Sequence, residues 1–264
     1  MGVGTLLIRV GILRKPSAWE PKWVAYRKIW RYSLQSDNTD GIIVQPLNWD
    51  DEKKIIGIVE EWETRTGFTI KKDHIHNIWQ RDVNYYIYFD DKDNLHYVGF
   101  TNYDITEKGY ATGKLFGSAG PSVIAKGVID TLAYGKTPEQ VVEECKSDIR
   151  NFQYPCRKVG AEYMTYEFNG EENKIQKECR AFALKQELGV GKIYKHRKVK
   201  KDTKSLKAGD LQRVIYSNMP PSCFIYNDDV MNDKARKEIL DKLDLNWYIE
   251  KIYSELNKFI NGGK

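Results

Sequence analysis

The sequence predicts an α+β protein. Apolar residues recur at helical spacing after Asp50, after Ser122 and from Asp233 onward, while β-branched and aromatic runs bounded by Asn, Asp and Gly lie between them. The strand candidates are joined by short polar turns, as in a mixed or antiparallel sheet. At 264 residues the chain is long enough for one large or two modest cored domains, and 41% hydrophobic with 30% charged residues fits a globular fold.

Taken in order, residues 5–13 and 22–34 are apolar and aromatic without a clear period, and read as strand or irregular. Ile42 to Val44 is β-branched and reads as a strand. A helix follows from Asp50, where Asp50 or Asp51 can cap it, Ile55, Ile56, Val59 and Trp62 share one face, and Gly67 suits its end. Residues 84–89 and 95–101 flank Asp90-Asp91-Lys92-Asp93-Asn94 as a hairpin. After Gly120-Pro121, the spacing of Val123, Ala125, Val128, Ile129 and Leu132 predicts a helix. Thr137-Pro138-Glu139-Gln140 opens another, with Thr137 as N-cap and Pro138 at the first helical position. Residues 161–168 read as a strand turned at Asn169-Gly170, 171–188 are open between helix and strand, and 214–217 and 223–226 are short strands. Helices over 233–243 and 245–260 end the series.

Four cysteines, Cys145, Cys156, Cys179 and Cys223, show no metal-finger spacing and suit reduced thiols in a cytoplasm. The apolar run at 5–13 is short and interrupted by Arg9, so no membrane span is expected. His74 and His76 lack a carboxylate at metal-ligand spacing. The net charge of +5 permits polyanion binding, and it is concentrated. Lys192, Lys195, Arg197, Lys198, Lys200, Lys201, Lys204 and Lys207 crowd one stretch relieved only by Asp202.

Three ordered segments carry a family likeness. Asn38-Thr39-Asp40-Gly41 puts a carboxylate in a turn before an apolar strand, Trp62 to Gly67 ends an amphipathic helix, and Val83-Asn84-Tyr85-Tyr86 begins an aromatic strand. This series resembles the end of the palm in phage-type family B DNA polymerases. Asp40 matches the family's metal-binding aspartate, Tyr86 the tyrosine near the primer, and Asn84 stands where the family has Lys. The resemblance implies a partial palm over 36–118 and a mainly helical thumb over 119–264, with 1–35 unassigned. It also implies that Lys192, Lys195, Arg197, Lys198, Lys200, Lys201 and Lys204 grip primer-template DNA by its phosphates, with Asn84 and Tyr86.

The activity implied is phosphoryl transfer by two Mg²⁺ ions about 4 Å apart, to which Asp40 would contribute one carboxylate. The family's first catalytic aspartate motif and its nucleotide-binding helix belong upstream of the Asp40 turn, and residues 1–35 match neither. A second chain carrying the exonuclease and those palm motifs is therefore the expected partner. The alternatives are a DNA-binding remnant without chemistry and a proteasome-like hydrolase with Thr5 as nucleophile, the latter needing a freed N-terminal Thr. A GIY-YIG nuclease, suggested by Tyr85-Tyr86-Ile87 and Tyr97-Val98-Gly99, fails because no arginine lies between Arg81 and Arg150.

Overall fold

Antiparallel pairing organises the described strands. The computed structural model describes residues 5–10, 34–38, 41–44, 49–82, 84–100, 103, 120–176, 179–203, 205–226 and 233–260. It falls into two compact units, Met1–Gly99 with Lys258–Lys264, and Phe100–Asn257. The fold class is α+β, as the sequence predicts, and each strand pairing among the described residues is antiparallel.

Among its described residues the first unit forms a six-stranded sheet and one helix. Its elements are β1 (Thr5–Val10), β2 (Leu34–Asn38), β3 (Gly41–Val44), α1 (Trp49–Thr66), β4 (Ile70–Asp82), β5 (Tyr85–Asp90) and β6 (Leu95–Val98), in the sheet order β2-β3-β1-β4-β5-β6. The apolar run at 5–10 is thus a strand, held between β3 and β4 with Thr5 opposite Ile75. α1 buries Ile55, Val59 and Trp62, the face its spacing predicts. Gly67 ends it at φ +70°, donating its amide to the Glu63 carbonyl at 2.8 Å. Asp50 and Asp51 lie inside the first turn rather than before it, where negative charge suits the helix dipole.

No strand is expected over 70–82 from the sequence, yet β4 is the longest among the described residues. Its buried residues Ile70 and Ile75 keep no strict alternation, and the register shifts between His76 and Trp79, where Asn77 adopts φ +49°. The hairpin β5–β6 forms where expected, with Phe89 opposite Leu95. Asp90 anchors its tip by accepting the amides of Lys92 and Asn94, both at 2.9 Å, and it lies 2.9 Å from His96 Nε2. The His96 and then the Asn94 side chain hold the Asp90 carboxyl well below the usual carboxylate range.

The second unit opens with α2 (Ser122–Tyr134) and α3 (Pro138–Cys145). Thr137 caps α3 through a full capping box: its hydroxyl accepts the Gln140 amide at 3.2 Å, and the Gln140 side chain accepts the Thr137 amide at 2.9 Å. Then come β7 (Tyr154–Cys156), β8 (Tyr163–Phe168), β9 (Glu171–Ile175), β10 (Cys179–Ala183), β11 (Gly191–Lys198), β12 (Leu211–Ile215) and β13 (Cys223–Tyr226), before α4 (Asp233–Lys242) and α5 (Leu245–Ile260). They make two sheets, β13-β10-β7 and β12-β11-β8-β9. β10 is buried at every position, as a central strand covered on both faces must be.

This corrects the expectation of a mainly helical region over 119–264. Among its described residues helices stand at the two ends, and seven strands lie between them. The physical reason is local. Asn169 and Gly170 take φ +49° and +90°, the two left-handed positions of a tight hairpin turn, so β8 and β9 fold back on each other. The strand register then propagates through β11 and β12. Among the described residues no helix is long and apolar enough to cross a membrane, and all four cysteines are buried and free.

Candidate nucleic-acid interface

The basic stretch becomes a strand, and the strand divides its charges between two faces. Along β11 buried and less buried positions alternate, so Gly191, Ile193 and Lys195 turn inward while Lys192, Tyr194, His196 and Lys198 share the other face. Lys195 is therefore a correction to the expected phosphate-binding set. It is 8% exposed, donates Nζ to the Val159 carbonyl at 3.2 Å and sits 4.0 Å from the centre of the Tyr216 ring. Burial, and then the neighbouring Arg197 charge, push its pKa down. An alternation of two cannot point residues 192, 195 and 198 the same way, and a cluster counted along the sequence hides this.

The remaining lysines divide by position. Lys192 is half-buried on the strand, Arg197 and Lys198 are exposed at its end, and Lys200 and Lys201 are exposed in the connection to β12. Lys204 lies outside the described residues. Asp202 and Asp210 hold the backbone of that connection, accepting the Ala208 and Lys207 amides, each at 2.8 Å. The connection is thus a folded turn carrying exposed cations.

The outer face of the four-stranded sheet joins these cations to aromatic rings. Register places Tyr163 and Thr165 of β8 opposite His196 and Tyr194 of β11, which in turn face Arg213 and Ile215 of β12. Tyr163 stacks on His196 with centroids 4.2 Å apart and planes 13° apart, and Lys174 lies 4.9 Å over the Tyr163 ring. The Arg213 guanidinium sits 3.4 Å over the Tyr194 ring and pairs with Glu167 and with Glu172 Oε1, the latter at 3.2 Å. Leu211 and Ile215, 47% and 61% exposed, flank Arg213 on the edge strand.

Thr165, His196 and Glu172 meet within this face, and their geometry decides what they can do. Thr165 donates its hydroxyl to Glu172 Oε1, and its Oγ1 lies 3.0 Å from His196 Nε2; Glu172 Oε1 is 3.5 Å from the same nitrogen. A nucleophilic relay needs the hydroxyl and the carboxylate on opposite ring nitrogens. Here both approach Nε2, so the trio is a bracing network. The Thr165 hydrogen bond and the Arg213 charge hold the Glu172 carboxyl below its ordinary range. Sequence spacing could not reveal this cluster, since its members are spread from residue 165 to 196 and meet only through strand register.

The residues that carry the family likeness fall within the sequence range of the first unit. Asp40 follows β2 and precedes β3, whose pairing brings Asn38 opposite Gly41, but Asp40 itself lies outside the described residues. Among the described residues, no three His, Cys, Asp or Glu side chains converge so as to hold a metal ion. Asn84 is exposed just before β5, its amide donating to Asp82 Oδ1 at 2.9 Å. Tyr86 is half-buried, packed against the cluster of Ile43, Ile75 and Tyr88. Comparison with known proteins returns no matching family, no matching curated protein and no matching solved structure.

Proposed function

We propose that this chain binds nucleic acid, gripping phosphates with Lys198, Lys200 and Lys201 and with Lys192 beside them, as the DNA-holding part of a polymerase completed by a second chain. The observation that carries the binding reading is the exposed group of cations at the end of β11, next to a sheet face of aromatic rings and an arginine. Phosphate neutralisation by such side chains gives sequence-independent affinity with a steep salt dependence. The polymerase reading adds Asp40 as one ligand of Mg²⁺ and rests on the ordered segments at 38–41, 62–67 and 83–86. Asn84 and Tyr86 would then lie near the primer.

Fluorescence anisotropy with a labelled oligonucleotide across a salt series tests the binding. Replacing Lys198, Lys200 and Lys201 together by Ala is expected to flatten the slope of log affinity against log salt by up to about 0.9 per lost duplex phosphate contact. An unchanged slope would make these lysines a solvated loop. For the polymerase reading, the purified chain with Mg²⁺ and a primed template is expected to incorporate no nucleotide by itself. Incorporation should appear when a chain carrying the exonuclease and upstream palm motifs is added, and Asp40→Ala should remove it. Primer extension by the isolated chain would sink the reading that motifs come from elsewhere.

A further inference from the structure

The lysines account for phosphate contacts, but they leave the aromatic and aliphatic side chains of the same sheet face without a task. We propose that this face, built from β9, β8, β11 and β12, receives the unpaired bases of a single strand, so that the nucleic acid held here is single-stranded along the sheet. The inference rests on the nucleic-acid-binding reading alone, not on a grip of duplex DNA, and narrows the ligand class to single strands.

The spacing of the rings argues for an unstacked strand. Tyr194 and His196 are two residues apart on β11 and share its outer face. Two residues of a strand advance about 7 Å. That is about twice the 3.4 Å step along one strand of a duplex, so rings at this spacing match bases drawn apart. In a duplex the bases are covered by their own stacking, and only phosphates and groove edges could reach a flat sheet. Unpaired bases stack on aromatic rings and on guanidinium planes without regard to sequence. Both kinds of partner are present here. The Tyr163–His196 pair forms one stacking position, and Tyr194 under Arg213 forms the other.

Charge complements the chemistry of the rings. Lys192 and Lys198 stand at the two ends of the β11 row that carries Tyr194 and His196, and Lys174 covers Tyr163 from β9. Glu167 and Glu172 oppose an anion, yet both are drawn onto Arg213. The exposed Leu211 and Ile215 on either side of Arg213 offer apolar contact to sugars and base edges. A backbone flanked by lysines with its bases turned toward the sheet uses each of these groups.

The test uses the full chain and three labelled ligands of equal length at one salt concentration: a dT 15-mer, an abasic 15-mer with the same phosphates, and a duplex. The expected result is at least tenfold tighter binding of the dT strand than of the abasic strand, with the duplex weaker than dT. Tyr194→Ala is expected to weaken dT binding roughly 5- to 150-fold, the effect of one lost stacked base, and to leave abasic binding unchanged. Tyr194→Phe should bind as the parent does, and circular dichroism checks that each variant is folded. Equal affinity for dT and abasic strands would overturn the stacking inference while leaving the phosphate reading intact. Tighter binding of the duplex than of dT would overturn it as well. Binding to none of the three would remove both. If sedimentation showed a self-association that Tyr194→Ala abolishes, with no preference for dT, the face would belong to a second copy of the chain and the inference would fall.

Discussion

Gly191→Ala is expected to destabilise the second unit by about 3 kcal/mol, the upper end of what an inserted methyl costs in a packed site. Gly191 opens β11 and is buried against β13, and a Cβ there would collide with the Cys223 carbonyl oxygen and approach the Tyr166 hydroxyl at 2.6 Å. A flexible side chain could turn aside, but the carbonyl belongs to a strand paired with the core strand β10. The methyl can be accommodated only by moving β11 off β13, which loosens the face that carries Tyr194 and His196. Urea unfolding followed by circular dichroism measures the loss. A midpoint equal to the parent's would show that β11 and β13 are not held as tightly as their approach implies.

Tyr248→Phe is expected to cost about 2 to 4 kcal/mol, a large effect for the removal of one oxygen atom. Tyr248 is fully buried on α5, its ring edge-on to Phe152 with centroids 5.1 Å apart. Its hydroxyl donates to the Phe152 carbonyl at 2.7 Å and accepts the Ala183 amide at 3.1 Å. Phenylalanine keeps the packing and leaves both backbone groups without that partner. Two such groups, each in the lower half of the about 1 to 3 kcal/mol that a buried unsatisfied group costs, give this range. Burial also holds the phenol pKa far above its ordinary value, so the hydroxyl remains a donor across the working pH range. The check is chemical denaturation, with the slope m unchanged so that only stability is read. A loss under about 0.5 kcal/mol would fall in the range of an ordinary surface change and would mean that the hydroxyl does not tie α5 to β10.

Much of the architecture was legible because its signals are local. The Thr137-Pro138-Glu139-Gln140 run dictates a capped helix start, and the structure has it with both capping bonds. The apolar stripe from Ile55 to Trp62 ends at Gly67, and the turns at Asp90 to Asn94 and at Asn169-Gly170 form where those residue types require them. β4 was not legible, because a bulge near Asn77 breaks the alternation on which a strand is recognised. Of the palm-like residues, Tyr86 falls on a strand as expected, but its ring contributes to the packing around Ile43, Ile75 and Tyr88.

The candidate site divides along the same line. That the chain is α+β and that positive charge collects between residues 192 and 207 follows from local chemistry, since composition, capping and turn preferences act over a few residues. Which of those charges reach solvent depends on the folded sheet. The two-residue alternation of β11 turns Lys195 into the interior onto Tyr216 while leaving Lys198 exposed. It also took the pairing of β8, β11 and β12 to bring Tyr163 against His196 and Arg213 over Tyr194, residues up to 50 positions apart. Strand register joins distant residues through backbone hydrogen bonds that any side chain can accompany, so no local pattern records which rings and cations will meet on a face.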